Sequence, residues 1–219
     1  MSRGARLFRS GELVASSHFS GAVQSVGGPA GMAISAASSG GWGMTEIMTE
    51  PISTRNLDRY GSAELTWSRP RDILASDTPG TDLTFFVATV RPNGRPHSAG
   101  VGAVWVDDAL YFTSGPSTVK SHNLAANPAC SVAVRLRSID LVLEGEAHRV
   151  TKASTLERVA AVYRTGGWPA EVDGDAFTAP FSAPSAGPPP WYLYALTLHT
   201  AVGVATAEPF GATRWDFAS

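Results

Sequence analysis

A chain of 219 residues with 43% hydrophobic side chains has the length and apolar content for one ordinary domain or two small ones. Its formal net charge is −2, with no basic stripe or Lys/Arg cluster, which argues against nucleic acid and an anionic membrane surface as partners. The single cysteine, Cys130, excludes an internal disulfide and any paired-cysteine metal or redox motif, and the apolar runs are too short to span a bilayer, so the expectation is a cytoplasmic protein without a metal site.

Residues 1–43 differ from the rest. Gly, Ser and Ala fill 25 of these 43 positions, Glu12 is the single acid, and no helical or strand period persists. Such a segment cannot bury enough apolar surface to offset its ordering cost. It reads as a disordered extension or an incorrectly assigned start, with Met44 opening ordinary composition; a targeting role for Arg3, Arg6 and Arg9 is less favoured, because no twin arginine or apolar signal region follows. A single domain is expected over 44–219.

Within that domain, Leu65 to Ser76 suits a short helix packed on a sheet edge. Leu83 to Val90 reads as a strand, and Arg91-Pro-Asn-Gly-Arg-Pro96 as a hairpin turn with Asn-Gly at its tip. His97 to Val106 is the returning strand, Asp107-Asp108 turns again, and Ala109 to Thr113 is the third strand. Gly100 and Gly102 interrupt the second strand. They mark either a bulge at a barrel corner or a floor cleared for a flat ring, and the residues alone leave both open.

The Ser-Gly-Pro at 114–116 must break the third strand. Ser117 or Thr118 then caps a helix over Val119 to Ala126, which Asn127-Pro128 ends. Strand, tight loop and helix start thus bring together Thr113, Ser114, Ser117, Thr118 and Lys120. Backbone N–H groups, hydroxyls and a cation favour a bound anion, a phosphate above all; the plain alternative is a helix cap that serves only its own backbone. Ser117-Thr-Val-Lys120 also matches the S-x-x-K of penicillin-recognising hydrolases, but its companion elements are absent.

Two alternating strands follow, Ala129 to Leu136, where Cys130 reads as a buried inert thiol, and Asp140 to Val150, bent at Gly145. Ser154-x-x-Glu157 reads as a capping box for a helix with Leu156, Val159, Ala160 and Tyr163 on one stripe. Residues 166–190 hold six prolines and four glycines and read as a lid or disordered excursion without regular elements. Trp191 to His199 and Ala201 to Thr206 are expected as two closing strands. The fold class is mainly β (α+β), an antiparallel barrel of six to seven strands with a few short helices.

Gly94-Arg-Pro-His97, Tyr111-Phe-Thr-Ser114, Ser117-x-x-Lys-x-x-Asn-Leu-x-x-Asn-Pro128 and Leu143-Glu-Gly-Glu-Ala147, in that order, resemble the pyridoxamine 5′-phosphate oxidase-like split-barrel superfamily, in particular its actinobacterial flavin and deazaflavin oxidoreductases. The resemblance implies a homodimer with FMN or the deazaflavin coenzyme F-420 at its interface, and hydride transfer to or from a small organic substrate. It places the cofactor phosphate at Thr113, Ser114, Thr118 and Lys120 of that loop, and its ring along Val101, Gly102 and Ala103. Arg214 and Trp215 resemble the closing motif, which reaches the site of its own or the partner subunit. Ala99 stands where the vitamin B6 oxidases place an arginine, and Asp140 lies near the position of their ring-contacting glutamine; a true pyridoxamine phosphate oxidase is therefore not expected. No residue is assigned as an acid or base, because the hydride is the cofactor's. The alternative is a non-catalytic binder or carrier of flavin, haem or another tetrapyrrole.

Overall fold

The computed structural model describes residues 50–76, 83–183 and 186–218. The segment 1–43 and the alternative start at Met44 lie outside the described residues. β1 (Ser53–Asn56) precedes α1 (Ser68–Ser76); β2 (Phe85–Val90), β3 (Pro96–Val101), β4 (Ala103–Val106) and β5 (Ala109–Ser114) lead into α2 (Val119–Ala126). β6 (Ala129–Arg135) and β7 (Ile139–Val150) run into α3 (Ala153–Thr165). A small hairpin follows, β8 (Glu171–Asp173) and β9 (Ala176–Thr178), and then β10 (Tyr192–Ala205) and β11 (Ala212–Asp216).

Nine of these strands form one sheet and every pairing in it is antiparallel. The pairings trace a circuit: β2 with β6, β6 with β7, β7 with β10, β10 with β5, β5 with β4, while β3 pairs back to β2. β3 and β4 are separated by Gly102 alone. The ladder is interrupted there, so the sheet is a split, open barrel. Six to seven strands suffice for this circuit. β1 and β11 extend the sheet beyond it, and β8 and β9 form a separate pair.

The turns explain the register. Asp107 and Asp108 both have positive φ, 50° and 56°, between paired Val106 and Ala109; this is the two-residue turn whose twist suits a hairpin. Asn93-Gly94 is built differently. Only Gly94 is left-handed, at 77°, and its N–H donates to the Arg91 carbonyl at 2.8 Å, so a wider turn joins β2 to β3.

Local readings changed in four places. The expected helix over Leu65 to Ser76 begins only at Ser68, with Pro70 in its first turn, a position that proline tolerates. The capping box at Ser154 is not made: α3 starts at Ala153 behind Lys152, with no side-chain cap. The two closing strands are one strand, β10, with a register shift between Leu198 and Thr200. Finally, 166–190 contains the β8–β9 hairpin and is not wholly irregular; Arg149 holds its tip through Asp175 at 2.7 Å.

Apolar side chains fill two layers. The barrel interior packs Val87, Phe112, Val132, Ile139, Leu141, Leu143, Ala201 and Trp215, all at 1% exposure or less. A second cluster sits where α3 covers the sheet, and there Leu156, Val159, Ala160 and Tyr163 form the buried stripe against Leu193 and Phe177. The first half of β10 is buried on both faces, Leu193 toward α3 and Tyr194 and Leu196 toward the barrel, which explains its unbroken apolar run. Gly145 sits where β7 passes the β10 bulge. A Cβ there would lie within 1.9 Å of the Thr197 carbonyl oxygen, so only glycine allows the approach.

Candidate functional site

Lys120 is the unusual residue of α2. It shares a face with Asn123 and Leu124, three and four positions on. Leu124 packs into the barrel core, and the Asn123 amide donates to Thr89 Oγ1 on β2 at 2.9 Å. That anchoring turns Lys120 inward, leaving it only 5% exposed. It has no carboxylate partner among the described residues, and burial alone pushes its ammonium below the ordinary lysine range. A cation in the first turn also opposes the helix dipole. Such a charge is costly unless something pairs with it.

Two clefts flank this region. The larger, about 640 Å³, is lined by Ser117, Thr118 and Lys120 on the α2 side and by His97, Ala99 and Gly100 on β3. The smaller, about 270 Å³, is lined by Gly102, Ala103, Thr113 and Ser114 together with Tyr163, Trp168 and Trp191. The expected phosphate residues are therefore divided between the clefts: Thr113 and Ser114 face the smaller one, and Ser117, Thr118 and Lys120 the larger. Val101 lines neither, because its side chain packs against the barrel core.

The hydroxyls are committed to one another. Ser121 Oγ donates to Ser114 Oγ at 2.9 Å, Ser114 Oγ lies 2.7 Å from Thr118 Oγ1, and Thr118 Oγ1 donates to the Gly115 carbonyl at 2.9 Å. Followed in that order, each hydroxyl spends its one proton. Thr118 Oγ1 also accepts from the Ser121 N–H at 3.3 Å as the helix cap. Ser114 and Thr118 thus stiffen the loop, and Lys120 is the cation left facing the larger cleft. Gly115 serves the same loop: a Cβ there would come within 2.6 Å of the Ala186 carbonyl oxygen, and Ala186 is the residue that lines both clefts.

Arg214 and Trp215 do not join these residues within the chain. Trp215 is 0% exposed, lies 5.5 Å from the Trp67 ring and donates its indole N–H to the Leu65 carbonyl; it is a core residue, because β11 turns its alternate side chains into the barrel. Arg214 faces outward and pairs with Asp216 at 2.7 Å, whose carboxyl is held below its ordinary range chiefly by that hydrogen bond. His97 carried no site assignment in the sequence. It lines the Lys120 cleft, and its Nδ1 is buried without a partner. Its place two residues before Ala99, on the same face of β3, was the available signal.

Residues 80–186 match the family model described as pyridoxamine 5′-phosphate oxidase. That segment, just under half of the chain, is similar to this family. Among solved structures, the chain is similar to a heme binding protein from Mycobacterium smegmatis, with 14% identity and a TM-score of 0.48 over 68% of this chain and 58% of that one. It is similar to an F-420 reductase, with 20% identity and a TM-score of 0.42 over 60% and 94%. It is also similar to General Stress Protein 26 from Bacillus anthracis, with 16% identity and a TM-score of 0.41 over 61% and 89%. No curated protein matches the chain. The matched residues span β2 to β9, and so contain both clefts' β3, β5 and α2 walls.

Proposed function

We propose that this protein binds a flavin-type cofactor, FMN or the deazaflavin coenzyme F-420, and is an oxidoreductase acting on a small organic molecule. The observation that carries this reading is Lys120, a buried ammonium without a carboxylate partner among the described residues, in the segment that matches the oxidase family model. A phosphate supplies the missing charge. Lys120 would hold it beside Ser117 and the α2 N-terminus, and the ring would extend along the Gly100–Gly102 stretch, where a Cβ on Gly102 would meet nothing within 4 Å. The bound cofactor supplies the hydride chemistry. The chain's own residues bind, orient and exclude water: the hydroxyl chain fixes the loop, and Asn123 fixes the helix that carries Lys120.

The cofactor is proposed to lie at a homodimer interface. Phe86, Ala133, Val142 and Val202 are direct cross-strand neighbours across β2, β6, β7 and β10, so their side chains form one row on the outer face. Phe86 is 50% exposed and nearby Val204 48%, an apolar patch that a second copy would cover. Arg214 is the next neighbour in that row, opposite Val202. It could therefore meet the other subunit's cofactor even though it is remote from both clefts of its own chain.

The test is titration of the purified full chain with FMN and with the deazaflavin coenzyme. Lys120→Ala should weaken whichever binds by roughly 1.5–3 kcal/mol, the range for a charge-assisted contact. Unchanged affinity would remove Lys120 from the site, and binding without turnover of any reduced or oxidised cofactor would make the protein a carrier.

A further inference from the structure

The larger cleft holds a polar atom that Lys120 does not account for. His97 lines it from β3, and its Nδ1 is buried with no hydrogen-bond partner. An unpaired buried ring nitrogen is costly, and such atoms are few in folded proteins. The residue is also fixed in place. His97 is the cross-strand neighbour of Thr89, whose Oγ1 donates to the His97 carbonyl at 3.4 Å and accepts from the Asn123 amide at 2.9 Å. Asn123 lies on the Lys120 face of α2. The strand that carries the imidazole and the helix that carries the ammonium are thus joined through one threonine. Among the described residues no Asp or Glu lines the cleft, and the rest of its β3 wall, Ala99 and Gly100, has no donor side chain.

We propose that His97 is the second anion-binding group of the larger cleft, with Nδ1–H as its donor, so that a phosphate is held from β3 as well as from α2. This rests on the reading that the cofactor's phosphate pairs with Lys120. A ring nitrogen that carries its proton donates to an anionic oxygen whether the imidazole is neutral or charged, whereas a bare nitrogen turns its lone pair on the anion. The tautomer is therefore part of the proposal. Lys120 supplies a charge with three donors that turn freely, and His97 supplies one donor in a fixed plane. Two donors from different elements orient the phosphate, and with it the direction in which the rest of the ligand leaves the cleft. His97 is a binding and orienting residue here, with no proton transferred.

The experiment uses the full chain with ¹⁵N-labelled histidine and follows the His97 ring resonances, assigned by their loss in His97→Asn. The probes are inorganic phosphate, FMN and riboflavin. Phosphate and FMN should each shift the Nδ1 resonance and leave it that of a protonated nitrogen, and riboflavin should not. Two variants separate binding from packing, because asparagine places an amide N–H near the position of Nδ1 and leucine places none. His97→Leu should weaken FMN at least about tenfold and leave riboflavin unchanged, and His97→Asn should recover most of that loss. A histidine that served packing alone would cost both flavins alike. If phosphate shifts His97 and FMN does not bind, the flavin reading fails and the anion site stands. A His97 resonance that neither phosphate nor FMN moves, an unprotonated Nδ1 in the bound protein, equal loss of FMN and riboflavin in His97→Leu, or no recovery in His97→Asn would each overturn the proposal.

Discussion

Lys120 concentrates the tension between stability and binding. Its folded-state pKa is lowered by burial, so below the ordinary lysine range the unfolded chain holds this proton more tightly than the folded one. Folding stability from this group therefore rises with pH through that window, and an anion that pairs with the ammonium should bind more weakly as pH rises through it. Lys120→Met keeps the length and removes the buried charge; it should raise stability by about 1 kcal/mol in urea unfolding while losing the anion. Cys130 works with the opposite sign. Burial pushes its thiol up to about 11, so the folded state holds the proton more tightly, and stability should fall as pH climbs from about 9 toward 11, by up to about 1.4 kcal/mol per pH unit. Urea midpoints across that range, with and without Cys130→Ala, would measure this slope. A Cys130 that reacts at its free rate with a thiol reagent in the native protein would contradict its burial.

Elements whose signal lies in short-range pattern were legible in the sequence. α2 runs over Val119–Ala126 as its cap and Asn-Pro stop indicate, and the α3 stripe is the buried one. What was hidden depends on contacts distant in sequence. The break expected between His199 and Ala201 is a register shift between Leu198 and Thr200 within one strand, set by the pairing with β7, and the Ser154 capping box is not made because α3 starts two residues earlier than that box requires, at Ala153. Gly145 was legible as a bend, but not as the site of a carbonyl's approach. Gly145→Ala should cost at least about 3 kcal/mol in chemical unfolding, the scale of severe overpacking against rigid backbone.

At the scale of the whole molecule, an antiparallel barrel could be read from turn spacing and strand alternation, because each hairpin announces itself locally, and its split form came from the family resemblance. The site could be read only in part. Loop and helix motifs named Lys120, yet whether Ser114 and Thr118 face a ligand or one another is decided by rotamers that no spacing encodes, and Trp215 belongs to the core because β11 adds to the far side of β10. The outer apolar row makes a further prediction. If the proposed homodimer forms through this row, Val142→Lys should leave the barrel folded and turn the dimer to monomer in sedimentation, with loss of cofactor affinity; an unchanged sedimentation coefficient would separate the row from assembly. The account's central claim is that Lys120 receives the phosphate of a flavin-type cofactor. It is tested most directly by comparing FMN with riboflavin, which lacks that phosphate, on the unmodified protein and on Lys120→Ala. The account predicts that FMN binds at least about tenfold more tightly than riboflavin to the unmodified protein, as a charge-assisted contact requires, and that the difference disappears in the variant. An FMN preference that survives Lys120→Ala, or no preference in either protein, would contradict it.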